Sequence, residues 1–197
     1  MGTTLFTELH QELVTDLPGA SLAQLNHNIV RVIRDFCTKT YSWTFDLDAI
    51  SVVAEVSDYE LDSYPSYSEV ERVLIVVLDG VTLTPGVHYT IADRCHTIHL
   101  VSEPQRDITA GLEVNVALRP KLSATKICSA FYNNWFEVWA HGVLARMMAN
   151  PNKTWSNPSL FSYHNSLFWD GIRDARIEQQ KGGTVKTLTA RPKYKFA

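Results

Sequence analysis

Residues 70–80 read VERVLIVVLDG: a β-branched run that stops at Asp79-Gly80. An Asp-Gly pair between two apolar runs is the strongest short hairpin signal, because both central residues of the tight turn take positive φ. The run VLIVVL (73–78) and the following VTL (81–83) flank that turn. On either side, AISVVAEV (49–56) is again β-branched and bounded by turn residues. VHYTI (87–91), HTIHLV (96–101) and LEVNVALRP (112–120) alternate or nearly so. The pattern predicts a small, mostly antiparallel sheet between about Ala49 and Leu118.

The helical period appears on both flanks. Pro18 and Gly19 break the chain, Ser21 and Gln24 make a capping-box pattern, and Leu22, Leu25, Ile29, Val32, Ile33 and Phe36 recur at 3.6-residue spacing to about Lys39. After Pro120, Ile127, Phe131, Trp135, Val138, Trp139, Leu144 and Met147 form a second stripe that stops at Asn150-Pro151. Asn157 suits an N-cap with Pro158 at the first helical position, and Leu160, Leu167, Phe168, Ile172 and Ala175 carry a last helix to about Gln180, with Gly182 at the C-cap. The expected fold class is α+β: a helical bundle, its first helix packed with two C-terminal helices, carrying an inserted small antiparallel β module that projects from it, and an extended C-terminal arm. The expected divisions are 1–48 (N-terminal segment and first helix), 49–120 (β module), 121–181 (helical pair) and 182–197 (arm).

Charge is divided unevenly along the chain. The 197 residues carry a formal net charge of −3. Residues 181–197, KGGTVKTLTARPKYKFA, hold five positive charges and no acid, so the remainder sets 13 Lys and Arg against 21 Asp and Glu, a net −8. A basic tail on an acidic body points to an acidic partner for the tail. Ordering about fifteen residues costs on the order of 15–30 kcal/mol. Val185, Leu188, Tyr194 and Phe196 could return only about 1.5–3 kcal/mol each if fully buried. On its own body the tail is therefore expected to stay loose, either as a frayed terminus or as an arm that orders only on a partner, and fully extended it would reach roughly 50 Å.

Other classes find little support. No apolar run approaches the roughly 20 residues of a membrane span, and MGTTLFTELHQEL lacks a signal-peptide pattern. Phe6 stands where a myristoylation motif wants Ser or Thr. Cys37, Cys95 and Cys128 are odd in number and far apart, which suits neither a disulfide framework nor a zinc knuckle and suggests a reducing compartment. His88, Cys95, His96 and His99 crowd one stretch. In a strand, however, Cys95 and His99 lie about 13 Å apart and His96 and His99 face opposite ways, so no metal is expected. SDYELDSYPSYSEVE (57–71), with Asp58, Glu60, Asp62, Glu69 and Glu71, reads as a solvated acidic loop without the glycine of a calcium loop. No G-x-S-x-G elbow or phosphate-cradling loop is present, Asp46 and Asp48 read as loop caps, and neither an enzyme nor a cofactor is expected. Trp135 and Trp139 belong to a core stripe, and Trp43, Trp155 and Trp169 fall at or near element ends.

In order and spacing, VIRDFCTKTYSWT, VVLDGVTLTPGVHYTI, the LRP exit, AHGVLARMMANPNKTWSNP, FSYHNSLFWDGIRDARIEQQKGG and the basic tail resemble the head-to-tail adaptor (connector) proteins of tailed bacteriophages, from about Pro18 onward. The resemblance implies a virion protein, assembled in the host cytoplasm, that forms a ring, typically twelve-fold. That ring sits under the portal protein, extends the DNA channel without binding the DNA specifically, and meets a downstream tail or nozzle protein. It implies no catalytic residue and no membrane. It also implies that residues 184–197 dock on the portal through Lys186, Leu188, Arg191, Lys193, Tyr194, Lys195 and Phe196, with the aromatic pair as anchors and the cations as charge complements. The rival reading is a glycan-binding module on a helical mount, with Tyr59, Tyr64 and Tyr67 stacking on sugar.

Overall fold

A computed structural model describes residues 2–181. Among the described residues the chain forms β1 (Thr3–Leu5), α1 (Phe6–Val14), α2 (Leu22–Thr40), β2 (Thr44–Asp46), β3 (Ile50–Val52), β4 (Asp58–Glu60), β5 (Ser68–Leu78), β6 (Val81–Thr82), β7 (Tyr89–Ala92), β8 (Thr97–Leu100), β9 (Ile108–Pro120), β10 (Lys126–Cys128), α3 (Ser129–Met148) and α4 (Pro158–Gln180).

The expected helical bundle with a small projecting β module is not what forms. β9, thirteen residues long, is the spine of a curled five-stranded sheet, with β5 along one edge, β2 and β3 along the other, and β6 closing the order β2-β9-β5-β6. β4, β8 and β7 make a separate three-stranded sheet, and β1 pairs with β10. One continuous set of buried residues runs from Phe6 through Ile33, Val116 and Trp139 to Ala175, so helices and main sheet share a single core. The physical reason lies in β9. Leu112, Val114, Val116, Ala117 and Leu118 are all buried, and a strand that apolar over its length has to be covered rather than held out in solvent.

β5 shows how the sheet curls. Val70, Val73 and Val76 are its buried valines, spaced three apart where a regular strand would space them two apart. Their partners Leu118, Val116 and Val114 are spaced two apart, and the register slips once after Val70 and once after Val73. Each bulge adds one residue to β5, returns the next valine to the inner face and bends the strand. The Asp79-Gly80 turn forms as the sequence reads, with φ of 49° and 78°, and returns the chain so that Leu78 pairs with Val81.

α2 begins with both halves of its capping box: Ser21 Oγ accepts from the Gln24 amide and Gln24 Oε1 accepts from the Ser21 amide. It ends on Tyr41 in the left-handed conformation. α3 starts two residues later than its stripe suggests, because residues 126–128 are taken by β10; Trp135 and Val138 are half-buried while Trp139 is fully enclosed. Trp139 meets Phe36, Phe131 and Tyr132 with ring centroids 5.9, 5.3 and 6.1 Å away, an aromatic centre worth about 0.5–1.5 kcal/mol per pair beyond burial. Asn157 caps α4, its Oδ1 accepting from the Leu160 amide, with Pro158 at the first position. Trp169 lies within α4 rather than near its end.

Two glycines let the helices close. A Cβ on Gly142 would lie 2.6 Å from Val32 Cγ1 and 2.7 Å from Phe168 Cδ2, and one on Gly171 would lie 2.5 Å from Val138. α2, α3 and α4 therefore meet nearly backbone to side chain.

Candidate functional site

All seven residues expected to dock, Lys186, Leu188, Arg191, Lys193, Tyr194, Lys195 and Phe196, lie outside the described residues. The last turns of α4, which runs to Gln180, border a groove of about 390 Å³ whose rim includes Ser42, Thr44, Asn134, Trp135, Glu178 and Gln179.

The acidic tyrosine-rich stretch is only partly a loop. Asp58 and Glu60 lie in β4, and Glu69 and Glu71 lie in β5, where they build a charged seam between sheet and α2. β5–β9 register sets Glu69 opposite Arg119. Arg119 Nε donates to Glu69 Oε1 at 2.7 Å, and Arg34 Nη2, from α2, donates to the same oxygen at 2.9 Å. The other Arg34 nitrogen, Nη1, donates to the Pro120 carbonyl. Glu71 Oε2 is buried with no hydrogen bond, and its contact is the ion pair with Arg119 Nη1 at 2.5 Å. Burial pushes the Glu69 carboxyl up, but the hydrogen bonds from Arg119 and Arg34 and their charges outweigh it and hold the group below the ordinary carboxylate value. Cys37 is fully buried near the seam. Desolvation, with Glu71 adding to it against Arg34 and Arg119, drives its thiol well above the usual range, so the group is chemically quiet. Cys95 is half-buried, Cys128 is buried, and neither is in a disulfide.

The tyrosines do not form an open stacking platform. Tyr59 is 5% exposed and its hydroxyl donates to the Val56 carbonyl at 2.8 Å. Tyr67 is stacked on Trp43 with centroids 6.2 Å apart and carries the Lys126 ammonium 5.4 Å from its ring. Tyr64 turns its hydroxyl to His96 Nδ1 at 3.1 Å. The histidines of the crowded stretch likewise go separate ways: His88 Nδ1 accepts from the Thr84 amide and His99 Nδ1 meets Asp58 Oδ1 at 2.7 Å. Among the described residues no three His, Cys, Asp or Glu groups converge as a metal would need. Asp46 is in β2, its Oδ1 accepting from Asn115 Nδ2 at 2.6 Å, and the Asp48 amide donates to Ser63 Oγ.

One polar tie escaped the sequence reading. His141 of α3 and His164 of α4 face each other with Nδ1 to Nδ1 at 3.0 Å. Their spacing of 23 residues carries no periodic signal, and only the antiparallel return of α4 on α3 brings them together. Desolvation lowers both imidazoles below the ordinary histidine value. For His141 the Glu137 charge opposes it; for His164 His141 adds to it and Asp16 opposes it.

Open surface lies elsewhere. A groove of about 400 Å³ between α2 and the 121–125 segment is lined by Asn26, His27, Arg31, Ser123 and Thr125 with no acid, beside Leu122, which is 68% exposed. Among arginines with described side chains, Arg31 is the one with no ion pair, hydrogen bond or ring contact; the others are all engaged, Arg72 over the Tyr41 ring and Arg176 on the Lys39 carbonyl. The polar clusters are thus closed on themselves, and what the surface offers is contact. No helix among the described residues is long and apolar enough to cross a membrane. No protein-family model matches the chain, and no curated protein matches it.

Proposed function

We propose that the chain is the ring-forming subunit of a bacteriophage head-to-tail adaptor, whose basic arm, residues 184–197, docks on the portal protein while the acidic body surrounds the DNA path. The observation that carries this reading is the division of charge, −8 over residues 1–180 against five cations and no acid in the last seventeen. An arm that becomes ordered on its partner leaves the subunit soluble before assembly and bound afterwards. Repetition around a ring lets each contact be weak. An acidic channel wall does not grip passing DNA. Rings need two unlike patches that meet on neighbouring copies. The acid-free Arg31 groove with exposed Leu122, set on an otherwise acidic body, is consistent with one of them.

The experiment is deletion of residues 184–197. The shortened chain is expected to fold with an unchanged melting temperature and to lose binding to assembled portal, scored by native mass measurement or electron microscopy. Unchanged portal affinity in the truncated chain would overturn the arm, and failure of the full chain to form rings with portal present would overturn the adaptor reading itself.

A further inference from the structure

The His141–His164 pair sits in the more lightly held half of α4. No residue between Pro158 and Leu167 is buried, and Leu160 and Tyr163 are largely exposed. The other half of α4 is tied down by Phe168, Ile172 and Ala175 in the core, by the close approach of Gly171 to Val138, and by Arg176 Nε donating to the Lys39 carbonyl. The first half is held by its Asn157 cap, by the half-buried Phe161 packed against the core and by the imidazole contact.

Two neutral imidazoles 3.0 Å apart at Nδ1 share one hydrogen: one ring is the Nδ1–H tautomer and donates, and the other is the Nε2–H tautomer and accepts. A first added proton goes to the free Nε2 of the donor ring. The N–H···N bond survives and becomes charge-assisted. A second added proton has only the acceptor's Nδ1 lone pair left to occupy, which is the lone pair the bond uses. Both rings then present N–H to each other, and two cations with ring centroids 5.1 Å apart repel. The charged groups felt by the pair are Glu137 on α3 and Asp16 in the α1–α2 connection, with the Tyr163 ring edge-on to both imidazoles at 6.5 and 5.2 Å.

We propose that His141 and His164 form an acid-sensitive latch: a single extra proton keeps the first half of α4 on α3, and a second releases it while the rest of the helix stays packed. The latch does not depend on the adaptor reading.

The test uses the full chain, titrated from about pH 7.5 to about pH 5, across the range in which histidine changes charge. NMR of the two imidazoles is expected to show two coupled steps rather than two independent ones. Amide exchange in residues 160–167, corrected for its intrinsic pH dependence, is expected to accelerate at least about tenfold, the equivalent of one unit of linked titration, while residues 172–176 keep their protection. His141→Gln and His164→Gln should each abolish that acceleration. Independent single-group titration of the two rings, or full protection of residues 160–167 down to about pH 5, would overturn the latch. Should either variant fail to fold, the wild-type titration alone decides.

Discussion

The Arg34–Glu69–Arg119–Glu71 seam and the His141–His164 pair do the same job at two junctions of one helical layer, and they do it with opposite electrostatics. At the helix–sheet junction the charges are fixed and of opposite sign, and two guanidinium groups converge on one carboxylate oxygen. At the helix–helix junction two like groups share a hydrogen and can accept charge of only one sign. The first is secure across the neutral range, and the second is conditional on it. A half-buried polar contact is therefore described by its response to protons as much as by its length.

Arg119→Ala should be the most damaging way to break the comparison. It removes the contact to buried Glu71 Oε2 and half the support of Glu69, and loss of one partner from a largely desolvated pair costs about 3 kcal/mol. For a chain of this size that is a fall of about 6–12 °C in melting temperature, readable by calorimetry. A fall under about 2 °C would class the seam with ordinary surface ion pairs. Gly142→Ala attacks the other junction. The new methyl meets Val32 and Phe168, and overpacking of about 1–3 kcal/mol is offset by about 1 kcal/mol from the better helix propensity of Ala, leaving up to about 2 kcal/mol of destabilisation. It should also raise exchange in α4 beside His164 and leave β5 unchanged. The gentlest change, Glu69→Gln, should cost about 1 kcal/mol at neutral pH and mainly alter the acid limb of stability. The Glu69 carboxyl is held below its unfolded value, so its contribution is present above about pH 4.3 and lost as pH falls through the folded value. The histidines are also depressed, but as bases: the unfolded chain binds protons first, so stability falls from about pH 6.5 downward. Melting temperatures of wild type and Glu69→Gln should run parallel through the histidine range and converge below about pH 4. Parallel curves all the way down would remove Glu69 from the account.

What could be read from the chain followed local rules. Ser21 with Gln24, Asp79-Gly80 and Asn157-Pro158 each specify a structure within four residues, and each forms as specified. Strands β5, β7, β8 and β9 lie where their patterns put them, but their partners do not follow from pattern, and the main sheet is larger than the patterns suggest. The spacing of Val70, Val73 and Val76 looks irregular until the two bulges are known, and the bulges are fixed by β9. Glu69 and Glu71 read as solvated because acids beside tyrosines usually are, and the cations that claim them come from 35 and 50 residues away. α1 is legible in Phe6, Leu9 and Leu13, whose spacing is helical within the stretch that lacks a signal-peptide pattern. The candidate site is less legible: the docking arm rests on composition, its seven residues fall outside the described ones, and the imidazole pair has no sequence signal.

The pairing of β1 with β10 sets a timetable for the newborn chain. Thr4 reaches Ser129 across 125 positions, and the Gly2 carbonyl accepts from the Ser129 amide. Ribosomal synthesis at about 5–20 residues per second leaves the opening strand without its mate for on the order of 6–25 seconds. Through that interval Phe6, Leu9 and Leu13 can lean on α2 but lack the cover of α3, and part of their apolar surface stays open to other chains.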